Sequence, residues 1–90
     1  MTHFKILDAG RVSDRPSLHA ELQTVLELPG YYGRNLDALY DCLTDFEEPV
    51  TLLIVDSGLL SERLGDYAGN FLKTLSDAAD FGPNFSFRLY

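Results

Sequence analysis

Between residues 36 and 44, apolar and polar positions separate at helical spacing. Leu36, Leu39, Cys42 and Leu43 recur on one side, and Asp37, Tyr40, Asp41 and Thr44 fall on the other. The pattern predicts a helix entered from Asn35, a good cap, with the first set on the core and the second facing outward. Upstream, His3 to Asp8 alternates Phe4 and Ile6 with Lys5 and Leu7, which predicts a partly covered strand closed by the Ala9-Gly10 turn. Ser13 or Asp14 can cap a first helix that tolerates Pro16 in its first turn and repeats Leu18, Leu22, Val25 and Leu26 at helical spacing. Pro29 and Gly30 stop that helix, and Tyr31, Tyr32 and Gly33 make a short aromatic connection to Asn35.

Downstream, Pro49 ends any helical continuation, and Val50 to Val55 is almost wholly apolar, the mark of a strand buried on both faces in the middle of a sheet. Ser57 and Gly58 start a short helical segment around Leu59 to Leu64, which Gly65 ends. Asp66 can cap the last helix, whose buried face is Phe71, Leu72, Leu75, Ala78 and Ala79. Gly82-Pro83 closes it, and Phe85 to Tyr90 alternates as an edge strand with one wetter face. The order is strand, two helices, strand, two helices, strand, and both crossovers are long enough to make the strand pairs parallel. The expected fold is therefore a small α/β domain over residues 1–90, with a three-stranded parallel sheet centred on 50–55 and about four helices.

Composition adds limits to this picture. The 46% apolar content is ordinary for a soluble globular domain. Fourteen acids against seven bases leave a net charge of −7, and no basic run supplies phosphate contacts, so direct binding to nucleic acid or to an anionic membrane is disfavoured. A basic partner is favoured instead. Cys42 is the only cysteine, which excludes an internal disulfide, and its place on the core stripe marks it as a small hydrophobe rather than a reactive thiol. MTHFKILDAG reads neither as a signal peptide nor as a membrane span, so a reducing cytoplasm is the expected setting.

The outward stripe breaks local rules. Asp37 gains from the positive end of the helix dipole, but Asp41 sits mid-helix and Asp45 lies where a cation is better placed. Aspartate is a poor interior helix former, and carboxylates four apart repel by about 0.2–0.5 kcal/mol. Such uncompensated choices point to function. Enzyme chemistry is not the natural reading, because no phosphate-cradling glycine loop and no triad pattern is present. His3 and His19 stand alone and read as surface or satisfied histidines. Asp37 and Asp41 on an exposed face lack both the concave site that separates acid from base and the further oxygens that magnesium recruits, so no metal or cofactor is expected. Glu47 and Glu48 read as a solvated turn. Tyr32 reads as core, whereas Tyr31 and Tyr40 beside carboxylates supply the rigid amphipathic area typical of protein interfaces.

The segment LPGYYGRNLDALYDCLTDF, residues 28–46, together with Leu18-His19 before it and the element order after it, resembles the barstar family of ribonuclease inhibitors over essentially the whole chain. The resemblance implies a three-stranded parallel sheet packed with helices. It also implies that Tyr31, Asn35, Asp37, Asp41 and Thr44 are inhibitor contacts with Gly33 and Leu36 alongside, and that Asp77 is a further acidic contact. In that family the helix and its preceding loop plug the nuclease active site, the residue matching Asp41 occupying a phosphate position. The chemistry is coherent, because carboxylates can pair with the cations that otherwise hold RNA phosphates. This chain departs from the family pattern at Tyr40 and Phe46, which replace tryptophans, at Arg34, which replaces an acid, and at Asp45, which replaces a glycine. Arg34 and Asp45 lie at the rim of the expected surface, where a charge change alters recognition by repulsion as well as attraction.

The expected activity is intracellular, 1:1 inhibition of a basic, barnase-like ribonuclease of the secreted or toxin type, with no catalysis by the chain itself. The alternative, from another class, is an adaptor of the same fold that binds a non-nuclease protein or a second copy through a surface including Tyr40.

Overall fold

A computed structural model describes residues 1–90. Three strands, β1 (His3–Asp8), β2 (Val50–Val55) and β3 (Phe85–Leu89), form one parallel sheet in the order β1-β2-β3. Helices α1 (Arg15–Val25) and α2 (Leu36–Leu43) connect the first strand pair, and α3 (Leu59–Leu64) and α4 (Asp66–Phe81) connect the second. The α/β architecture expected from the periodicity is the one observed, with β2 in the centre. A short 3-10 turn, Ala9–Arg11, follows β1 and is capped by the Asp8 carboxylate, which accepts from Gly10 N.

Parallel strands joined by right-handed crossovers that step the same way across a sheet place their helices on one face. Burial follows that rule. In register, Leu7, Leu52, Ile54 and Phe85 point to the helices and are buried, while Phe4, Ile6 and Val55 point away and are exposed. β2 is therefore less enclosed than its apolar run suggests. Its far face carries half-buried Leu53 and exposed Val55 beside Thr51, whose hydroxyl lies 2.8 Å from that of Ser86 on β3. The core between sheet and helices joins these strand residues to Leu18 and Leu22 of α1, Leu39 and Leu43 of α2, Leu60 of α3, and Ala68, Phe71, Leu75 and Ala78 of α4.

The ends of the helices largely obey local chemistry. Asp14, not Ser13, caps α1 by accepting from Ser17 N, and the Ser17 hydroxyl accepts in return from Asp14 N. Pro16 falls in the first turn, where its missing N–H costs nothing. At α4 the expected cap is displaced by one residue. Gly65 takes the capping position with φ +59°, a conformation glycine adopts freely, and Asp66 lies inside the first turn, where its charge still complements the dipole. The Arg63 side chain ties α3 to the turn after β1 by donating to the carbonyls of Gly10 and Val12 at 3.0 and 2.9 Å.

Candidate functional site

The sequence positions α2 through its start. Asn35 Oδ1 accepts from Ala38 N at 2.8 Å, satisfying one of the amides that a helix leaves unpaired at its first turn. Arg34, one residue earlier, holds φ +54°, a left-handed conformation costly for a side chain with a Cβ, so the loop turns sharply into the helix. Gly33 permits that turn sterically, since a Cβ there would lie 3.2 Å from the Cβ of Ala38. Leu39 and Leu43 then anchor the inner side of α2 in the core, and Cys42 is half-buried beside them. Burial first, and the charges of Asp41 and Asp45 second, push the Cys42 thiol above its ordinary range.

On the outer side, Asp37, Asp41 and Asp45 are all exposed, and none of them is in ion-pair contact with a cationic side chain of the chain. Tyr31 is 89% exposed and meets Asp41 and Asp45 around a shallow depression of about 260 Å³ walled by Leu28 and Pro29. Asp45 lies past the helix, which ends at Leu43 with Thr44 as its C-terminal cap. Two members of the outward stripe depart from expectation. Tyr40 is half-buried, its ring edge against Phe81 at 6.2 Å, and Thr44 is half-buried with its hydroxyl donating to the Tyr40 carbonyl at 2.9 Å. Tyr40 thus joins α2 to the end of α4, Thr44 closes the last turn of α2 on itself, and both present only part of themselves outward. Leu36 is likewise half-buried, while Gly33 and Asn35 are exposed. Asp77 is exposed on α4, which packs beside α2, but it pairs with Lys73 one turn earlier at 3.0 Å.

Beneath the loop lies a connection that the linear sequence hides. His19 of α1 is 1% exposed; its Nδ1 lies 2.6 Å from the Tyr32 hydroxyl and its Nε2 2.7 Å from the Tyr67 hydroxyl. A neutral imidazole has one donor and one acceptor nitrogen, so it satisfies both phenols at once. Burial, and then the nearby Arg34 guanidinium, lower the His19 pKa and hold the ring neutral, while burial raises the Tyr32 phenol. The isolated histidine of the sequence is thus satisfied, by partners 13 and 48 positions away. It fixes the loop carrying Tyr31 to α1 and to the start of α4.

No cluster of three or more His, Cys, Asp or Glu could hold a metal ion, and no helix is long and apolar enough to cross a membrane. The family model described as Barstar (barnase inhibitor) matches residues 2–90. A Bacillus subtilis (strain 168) protein named "Putative ribonuclease inhibitor YrdF" is 38% identical over 76 residues, which cover 83% of this chain and 84% of that protein.

Proposed function

The chain belongs to the barstar family, and from that premise we propose that it inhibits a ribonuclease by direct, 1:1 occupation of the enzyme's active site. The occupant is the outer face of α2 with the loop before it. Asp37 and Asp41 stand in for RNA phosphates, Tyr31 supplies the aromatic contact, and Asp45 and Asp77 extend the acidic surface. The target is a basic, barnase-like nuclease of the secreted or toxin type, met in the cytoplasm; the chain itself catalyses nothing. One observation carries this reading: Asp37 and Asp41 are displayed on a rigid helix with no cation of their own chain in ion-pair range. Carboxylates left without a partner in the free protein keep their charge for one supplied from outside.

The test is RNA cleavage by barnase with increasing amounts of the chain. Inhibition that saturates at one chain per enzyme and is lost in Asp41→Ala supports the reading. Cleavage untouched by either version contradicts it. The adaptor alternative draws on a different observation, the 64% and 59% exposure of Phe4 and Ile6 on the uncovered face of the sheet. A stable dimer in sedimentation, together with intact cleavage, favours that second reading.

A further inference from the structure

Beside the acidic face lies a cleft of the opposite character. It measures about 600 Å³ and opens between the start of α1, the loop into α2 and the start of α4. Arg15 and Arg34 line it together with Asn35 and Asp37, and its floor is the His19–Tyr67 pair. Neither arginine is engaged by an acid. Arg15 stacks on the Tyr67 ring at 4.3 Å, and Arg34 spends one donor on the Gln23 side-chain oxygen at 2.9 Å. A guanidinium carries five N–H donors in a planar fork suited to carboxylates. Two such groups therefore face one cavity with most of their donors unspent, in a chain that carries twice as many acids as bases and pairs neither arginine with any of them.

We propose that this cleft is a carboxylate-binding subsite, and that it receives an Asp or Glu side chain of the protein docked on α2. This rests on the reading of α2 as the docking face. Asp37 belongs both to that face and to the wall of the cleft, so a partner that covers Asp37 also closes the mouth and takes water from both guanidiniums. A partner surface that is cationic throughout would leave them desolvated against like charge, whereas an acidic side chain between them forms charge-assisted bonds at the same place. Two arginines against the single carboxylate of Asp37 leave one net positive charge in the lining, which matches a side-chain monoanion better than a phosphate dianion. The net charge of −7 also opposes the approach of a polyanion. The partner is thus a protein whose basic active site has an acidic residue on its rim, and Arg15 and Arg34 select for it.

The cleft can be tested without the nuclease. The full ¹⁵N-labelled chain is titrated at low salt with the blocked tripeptide acetyl-Gly-Glu-Gly-amide, with its Gln counterpart, and with inorganic phosphate, following the arginine Nε–H signals and the amides of Asn35 to Asp37. The expected result is saturable shifts at Arg15, Arg34 and those amides for the Glu peptide. Binding is expected to be at least tenfold weaker for the Gln peptide and for the folded variant Arg15→Gln/Arg34→Gln, and unchanged in Lys73→Gln. Shifts that never saturate, equal binding of both peptides, or tighter binding of phosphate than of the Glu peptide overturns the proposal. Peptide binding by a chain that leaves barnase uninhibited removes the proposed function but not the cleft; inhibition without peptide binding does the reverse.

Discussion

Removing the Asp41 carboxylate takes no side-chain hydrogen bond or ion pair from the free chain, and it relieves repulsion from its neighbours four positions away, Asp37 and Asp45. Asp41→Ala is therefore expected to raise thermal stability slightly, by up to about 1 kcal/mol from lost repulsion and better helix propensity. Binding should fall by two orders of magnitude or more, since stripping one partner from a desolvated ion pair costs about 3–5 kcal/mol. Parallel melting and inhibition assays check that separation, and a clear drop in melting temperature would instead tie the carboxylate to the fold. His19 behaves in the opposite way. Its folded pKa lies below the unfolded value of 6.5, so the unfolded chain binds the proton more readily. The stability it contributes is complete above about pH 6.5 and is lost as pH falls from there through the lowered folded pKa. The melting temperature should consequently decline between pH 7 and pH 5.5, and His19→Gln should flatten that decline while lowering stability at pH 7.

At the scale of the element, α2 is eight residues long, too short to be stable alone, and depends on its anchors. Asn35→Ala removes the side-chain acceptor at its start and is expected to cost about 1 kcal/mol, or roughly 4–8 °C of melting temperature in a domain of this size. Differential scanning calorimetry checks the shift. The cap, the inner leucines and the outward aspartates of α2 were all legible in the sequence, because helical spacing and capping chemistry act over three or four residues. Elements governed by distant partners were less legible. The alternation in β1 marks a strand but not which side is covered; Leu7 goes inward and Phe4 and Ile6 outward because all the helices lie on one face of the sheet. The joining of Tyr40 to Phe81 and of His19 to Tyr67 depends on packing against α4, which no local window contains. Arg34 was visible only as a charge at a rim, since its left-handed backbone and its shared cleft with Arg15 arise from the turn into α2.

For the molecule as a whole, a net charge of −7 with unpaired aspartates grouped on α2 makes encounter with a basic protein a long-range event. Screening shortens the reach of that field from about 10 Å at 0.1 M salt to about 3 Å at 1 M. Stopped-flow association with barnase is therefore expected to slow at least tenfold over that range, while dissociation changes much less. A salt-independent on-rate would remove steering from the picture. Cys42, seated on the inner side of α2 with its thiol held in the protonated form, carries one more consequence. Reagents that need the thiolate find little of it while the helix is seated, so the slow alkylation of this single sulfur serves as a clock for the helix lifting away. A bound nuclease would make that clock run slower still.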